Sequence, residues 1–223
     1  MVLRINDVAP NLVLKTNQAN IHLHDFIGES WAVLFSHPKD FTPVCTTEFG
    51  AVAQLAGEWA KRRTKVIGLS VDGVDEHDQW ISDIEIFSGA EVTFPIVADE
   101  SLEVSKALGM LPAEAYLPDG RTADDSASVR TVFIFSPDKK LQLTMAYPMS
   151  VGRNFAEILR VLDALQLTYD QPLATPANWI KGQDVIVALS LSDEAAVAKF
   201  GKIDIKLSYL RTTKMPIQKS ALL

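Results

Sequence analysis

Trp31-Ala32-Val33-Leu34-Phe35-Ser36-His37-Pro38-Lys39-Asp40-Phe41-Thr42-Pro43-Val44-Cys45-Thr46-Thr47-Glu48 runs from an apolar segment through a polar turn into a helix start, and it holds the chain's one cysteine. Five consecutive apolar residues, Trp31 to Phe35, fit a strand covered on both faces. Asp40-Phe41-Thr42-Pro43 breaks the chain with turn residues. Thr42 before Pro43 is a helix-start signal, an N-cap followed by proline at the first helical position. Phe49, Val52, Ala53, Ala56, Trp59 and Ala60 then recur at helical spacing, and Lys61, Arg62, Arg63 and Lys65 gather where the macrodipole favours positive charge. The spacing predicts one helix with Cys45 in its first turn.

That placement bears on reactivity. An ordinary thiol has a pKa of about 8.5 and is only slightly ionised at neutral pH. Bringing a thiol to about pH 6 takes roughly 3.4 kcal/mol of preference for the anion, at about 1.36 kcal/mol per unit. A helix N-terminus supplies about 0.3–1 kcal/mol, and about 2 in a favourable partly buried site. A hydrogen bond to a charged group adds about 1.5–3 kcal/mol. The helix alone falls short, so a reactive Cys45 needs a second donor, for which a buried arginine is the natural choice. Most lone cysteines are small buried hydrophobes, and spacing alone does not reverse that reading.

The residue string does. Phe41-Thr42-Pro43-Val44-Cys45-Thr46-Thr47-Glu48 resembles the peroxidatic motif of peroxiredoxins. With His37-Pro38 ahead of it and Gly152-Arg153-Asn154-Phe155 later, the chain resembles their one-cysteine branch, from Asp7-Val8-Ala9-Pro10-Asn11-Leu12 to the C-terminal segment.

Composition agrees with a soluble globular protein. The chain has 223 residues, 48% of them hydrophobic and 22% charged, ordinary for a globular protein. Net charge is −7 and the pI about 5.1, which argues against nucleic acid or an anionic membrane as main partner. No apolar run approaches the roughly 18–20 residues of a membrane span. The start, Met1-Val2-Leu3-Arg4-Ile5-Asn6-Asp7, lacks the apolar core of a secretory signal. One cysteine excludes an internal disulfide, and the expected compartment is the cytoplasm.

Along the chain, Pro10 to Leu14 and Ile21-His22-Leu23-His24 read as short strands, the latter with His22 and His24 on one solvent face. Lys65 to Val71 is a strand, making a βαβ unit with the first strand and helix. A helix capped from Asp72 to Glu76 carries Trp80, Ile81, Ile84 and Phe87 on its apolar face. Phe94 to Ala98 is a strand that Pro95 assigns to an edge or to a cis bond. Ser101 to Leu108 is a short helix closed by Gly109, and residues 117–128 form a polar loop. Val129 to Phe135 and Leu141 to Tyr147 make a hairpin. Arg130 opens that apolar strand, an awkward place for a charge without a partner. A helix follows from Gly152 to Leu165. Periodicity then fails at the two prolines Pro172 and Pro176, which places a domain boundary there: 1–168 and 169–223. The second part is too small to make a core alone.

The resemblance implies an α/β thioredoxin-like fold, a central mixed sheet flanked by helices, with 169–223 as a dimerisation domain of a homodimer that can assemble further. It implies reduction of hydrogen peroxide or organic hydroperoxides by Cys45, which becomes a sulfenic acid. It carries over an active-site arginine to Arg130, and Glu48 and Arg153 to positions that hold Arg130. Thr42 and the first-turn N–H groups would face the leaving oxygen, Pro38 and Pro43 would shape the pocket, and His37 would border it. No cofactor or metal is implied. With no second cysteine, an external reductant (glutathione, a thiol protein or ascorbate) must restore Cys45.

Two other readings exist. Animal members of this branch carry a lipase-like Gly-x-Ser-x-Gly string; here it is Gly28-Glu29-Ser30-Trp31-Ala32, with His24 and Asp138 at the partner positions. Ala32 breaks the motif, and Ser30 precedes a strand, whereas a nucleophile elbow follows one. A chaperone-like, non-enzymatic assembly is the other, and no residue pattern argues for it independently.

Overall fold

The computed structural model describes residues 3–111 and 127–216. Of the polar loop expected at 117–128, all but the last two residues lie outside them. Chain contacts divide the molecule into two compact units, Met1–Phe155 and Ala156–Leu223.

The first unit is built on a five-stranded mixed sheet. A small hairpin of β1 (Val13–Lys15) and β2 (Asn20–His22) leads to a short helix, α1 (Leu23–Ile27). Then come β3 (Trp31–Ser36), α2 (Pro43–Gln54), α3 (Ala56–Lys61), β4 (Thr64–Ser70), α4 (Val74–Ser88), β5 (Ile96–Ala98) and α5 (Glu103–Leu108). The hairpin β6 (Arg130–Phe135) and β7 (Leu141–Tyr147) closes the sheet. Strand order is β5-β4-β3-β6-β7; β3, β4 and β5 run parallel, and β6 lies antiparallel to β3. All six residues of β3 are buried, as the continuous apolar run predicts, because both faces of this central strand are covered.

Period-two alternation sorts the side chains. Ala32 and Leu34 join Ile67, Leu69, Phe133 and Phe135 in one core cluster. Phe35 faces the other way and meets the rings of Phe49 and Phe155, with centroids 4.8 and 6.0 Å away. Gly68 on β4 permits this second layer: a Cβ there would come within 2.7 Å of the Phe49 ring.

Several expectations change. His22 and His24 do not share a strand face, since β2 stops at His22 and His24 belongs to α1; four alternating residues are too few to separate a strand from a helix start. The long helix breaks at Leu55 into α2 and α3. On α4 the buried residues are His77, Trp80 and Ile84, while Phe87 is 61% exposed in the last turn, beside Gly50 of α2. Pro95 stands before the edge strand β5, and no peptide bond among the described residues is cis.

The second unit takes α6 (Phe155–Asp170) from its second residue, followed by β8 (Leu173–Ala174), β9 (Val185–Val187), α7 (Asp193–Phe200), β10 (Ile203–Leu207) and β11 (Leu210–Thr213). The four strands form one sheet in the order β10-β11-β9-β8. This unit has an apolar cluster of Leu173, Trp179, Val185, Val187 and Ala196 with Leu167 of α6.

Candidate active site

The backbone before α2 is bent hard. Phe41 takes φ 54°, left-handed backbone that costs a residue bearing a Cβ about 1–2 kcal/mol. Bonds on both sides hold the bend: the Thr42 hydroxyl donates to the Lys39 carbonyl at 2.9 Å, and the Asp40 N–H to Asp72 Oδ2 at 2.8 Å. Thr42 is then extended, and Pro43 sits at the first helical position, as the sequence predicts.

Cys45 is fully buried in that first turn, which contains no acidic residue. The N–H groups of Val44 and Cys45 find no acceptor among the described residues, the normal condition of orphan donors at a helix start. Arg130 Nη1 lies 3.4 Å from Cys45 Sγ. The same nitrogen lies 2.6 Å from Glu48 Oε2, and Arg130 Nε donates to the Met149 carbonyl at 2.8 Å. Glu48 follows Cys45 by three residues, so the two share a helix face.

Arg153 grips Glu48 from the other side. Its Nε reaches Oε1 at 2.9 Å, its Nη2 reaches Oε2 at 2.7 Å, and its backbone N–H donates to Oε1 at 2.8 Å. Its Nη1 is spent on the carbonyls of Ser36 and Thr131, at 2.8 and 3.1 Å. Burial pushes the Glu48 carboxyl up, but Arg153 and Arg130 outweigh it and hold it below its ordinary value. Two guanidiniums against one carboxylate leave one positive charge over. The described contact that uses it is with sulfur.

A second buried cluster joins the loop after β3 to α4 and β5. His37, expected at a pocket border, is completely enclosed. Its Nε2 meets Asp40 Oδ1 at 2.6 Å, and Asp40 Oδ2 meets His77 Nδ1 at 2.6 Å. His77 Nε2 faces the Val97 carbonyl at 3.2 Å. The His37 ring stacks on Trp80 with centroids 5.0 Å apart and meets the edge of Phe49 at 4.6 Å. Sequence reasoning gave Asp40 no role and overlooked His77. The signal for His77 was available: it precedes Trp80 by three residues and Ile84 by seven, a histidine on an apolar helix face.

The structure thus brings Cys45, Arg130, Glu48 and Arg153 together. It does not direct the Thr42 hydroxyl proton to the sulfur side, because Lys39 takes it. Pro38 is buried, and Pro43 is exposed at the helix start. The lipase-like trio is not assembled: His24 Nε2 is spent on the Ala9 carbonyl, and Asp138 accepts from Ser136 and Lys140.

The AhpC/TSA family model matches residues 5–144, more than half the chain, and the C-terminal domain of 1-Cys peroxiredoxin matches residues 164–202. Peroxiredoxin-6 of Rattus norvegicus is 48% identical over 225 residues, which cover 96% of this chain and 98% of that protein. Peroxiredoxin PRX1, mitochondrial, of Saccharomyces cerevisiae is 47% identical, covering 95% and 81%. A solved structure of a yeast mitochondrial 1-Cys peroxiredoxin superposes with a TM-score of 0.85 at 43% identity, covering 96% of this chain and all of that one.

One expectation is overturned here. A relative this similar is named mitochondrial, so the cytoplasmic assignment does not hold. Lack of an apolar core at the start speaks only to a secretory signal, since mitochondrial addresses are amphipathic and arginine-rich. In fold, in its single cysteine and in both matched domains, the chain belongs to the one-cysteine peroxiredoxins of the peroxiredoxin-6 type and is a thiol-dependent peroxidase.

Proposed function

We propose that in this peroxidase the Cys45 thiolate attacks one oxygen of a hydroperoxide. An S–O bond forms as the O–O bond breaks. Sulfur is oxidised to the sulfenic acid, the peroxide is reduced to water or an alcohol, and the departing oxygen takes up one proton. The observation that carries this reading is the 3.4 Å contact between Arg130 Nη1 and Cys45 Sγ inside a cluster with one surplus positive charge. Arg130 and the first-turn N–H groups are aimed where charge grows on the leaving oxygen, and donors so placed lower a barrier by about 2.7–4 kcal/mol each. Glu48 and Arg153 fix the guanidinium. Pro38 and His37 keep that end of the site dry. Thr42 acts by closing its own turn, as its bond to Lys39 supports.

Cys45 is the chain's one cysteine, so the sulfenic acid is returned to thiol by an external reductant. The yeast structure is described in terms of glutathione and thioredoxin systems, which supports a small thiol or a thiol protein here over ascorbate. Residues 1–168 carry the chemistry and 169–223 serve a homodimer. The match to the C-terminal domain supports that role, as do the exposed Ile205, Leu207 and Tyr209 on and after β10.

Stopped-flow mixing with hydrogen peroxide tests the central step. Cys45→Ser abolishes the reaction, and intact mass after one equivalent of peroxide shows a gain of one oxygen in the native chain. Unchanged peroxide consumption by the serine variant overturns the assignment.

A further inference from the structure

The Glu48 cluster accounts for the charge at sulfur, but the buried histidines beside it have no part in that account. Their protonation follows from what each ring nitrogen faces. A carbonyl oxygen only accepts, so His77 Nε2, 3.2 Å from the Val97 carbonyl, carries a hydrogen. Its Nδ1 faces Asp40 Oδ2 at 2.6 Å, and a carboxylate also accepts. His77 therefore donates from both nitrogens and is an imidazolium. His37 is different. Its Nε2 donates to Asp40 Oδ1 at 2.6 Å, while its Nδ1, though buried, has no partner among the described residues. A second hydrogen there would be buried and unpaired, so His37 is neutral with its proton on Nε2.

The same cluster grips the reactive helix. The His37 ring lies against Phe49, one turn after Cys45 on α2, and against Trp80, whose indole N–H donates to the Thr46 hydroxyl at 3.1 Å. Phe49 and Trp80 also touch each other, with centroids 4.8 Å apart. The His37 ring thus meets α2 at Phe49 and, by way of Trp80, at Thr46.

We propose that His77 is a positioning residue for peroxide reduction: its doubly donating ring holds Asp40, Asp40 holds His37 in one tautomer, and His37 seats the first turn of α2. His77 acts without touching substrate. The proposal rests on the peroxidase reading above and extends it. Loss of the His77 proton removes one of its two bonds and loosens the chain of contacts, so the reaction has an alkaline limb. The charged groups facing His77 are Asp40 and, behind it, Asp72, which accepts from the Asp40 N–H and the Ser70 hydroxyl, both at 2.8 Å. Asp99 at the end of β5 is committed to the N–H groups of Val104 and Ser105, and Asp75, Glu76 and Asp78 on α4 are exposed. Burial is the largest influence on His77 and works against its charge, but the bond to Asp40, the Asp40 charge and the Val97 carbonyl together outweigh it and its pKa is raised; burial lowers that of His37.

Two measurements decide the matter. Long-range proton–nitrogen correlation spectra of the reduced, nitrogen-15-labelled chain have four histidines to resolve. At neutral pH, His77 is expected to show two protonated nitrogens and His37 one bare nitrogen. The second-order rate with hydrogen peroxide is then followed as pH rises. In His77→Leu it falls by about tenfold, the effect of one lost bond to a charged group. His77→Asn, which places a non-titrating amide near Nδ1, restores most of that loss, and the alkaline limb disappears. A neutral His77 at pH 7, or an alkaline limb unchanged in the asparagine variant, overturns the proposal. The spectra need no peroxide, so failure of this protonation state and failure of the Cys45 assignment appear in separate experiments.

Discussion

Two buried carboxylates sit a few residues apart in the sequence, Asp40 and Glu48, each held by two basic side chains, and they behave oppositely. Glu48 is paired with Arg130 and Arg153, which stay charged at every working pH. Asp40 is paired with His37, which is neutral, and with His77, which can give up a proton. The first cluster carries a permanent surplus of one positive charge and presents it to sulfur. The second is balanced and adjustable, and it meets α2 through aromatic contacts. One region supplies the field at the reacting atom; the other supplies the seat of the helix that carries it.

Removing each carboxylate should expose this difference most strongly. Glu48→Gln leaves two buried guanidiniums without the carboxylate that pairs them and with no means of shedding their charge. Breaking a buried ion pair by deleting one partner costs about 3–5 kcal/mol, and urea unfolding at neutral pH should show a loss of that size. A loss under 1 kcal/mol would mean that the cluster does not hold its charges as described.

Next in size is Arg130→Met, which keeps much of the length and removes the charge. The expected fall in the rate with hydrogen peroxide is about 10²–10³-fold, the worth of one preorganised donor. Arg130→Lys should recover little, because a point charge cannot contact Sγ, Glu48 and the Met149 carbonyl with the geometry of a planar fork. Equal rates in the lysine variant and the native chain would reduce the site to simple charge proximity.

Asp40→Asn comes third. Burial pushes Asp40 up, but its bonds from His37 and His77 bring it from an ordinary 3.8 down to about 2. A depressed carboxyl stabilises the fold above its unfolded value and loses that contribution as pH falls through its folded one. About 2 kcal/mol is therefore present above about pH 4 and fades toward pH 2, at about 1.36 kcal/mol per unit. The difference in unfolding free energy between native chain and variant should shrink over that window. At neutral pH the variant should lose less than Glu48→Gln, since His77 can release its proton where Arg153 cannot. Equal losses would erase the contrast between the clusters.

How much of this could be read beforehand follows from the same contrast. The strand at Trp31 to Phe35, the helix start at Thr42-Pro43 and the buried need of Arg130 are local statements, and the structure repeats them. Glu48 and Arg153 were reached through resemblance, because residues 105 positions apart carry no periodicity that links them. The Asp40 cluster was missed for a different reason. Its members come from the loop after β3, from α4 and from the edge strand β5, and only the parallel order of β3, β4 and β5 brings these ends together. Phe87 misled the reading of α4 because period alone does not say where a helix runs past the sheet it covers.

Thr42 gives the smallest effect and the finest test of how the two regions divide the work. If its hydroxyl served the leaving oxygen, removing it would cost the roughly 10²–10³-fold of an oxyanion donor. The proton is already given to the Lys39 carbonyl at 2.9 Å, within the loop that also presents Asp40. Thr42→Val keeps the shape and removes that bond, a net loss of about 0.5–1.5 kcal/mol for a neutral pair. Stability should fall by that amount, and the peroxide rate by no more than about tenfold. A hundredfold fall in rate with stability unchanged would move Thr42 from the loop into the chemistry, and Arg130 would no longer stand as the only side-chain donor at the sulfur among the described residues.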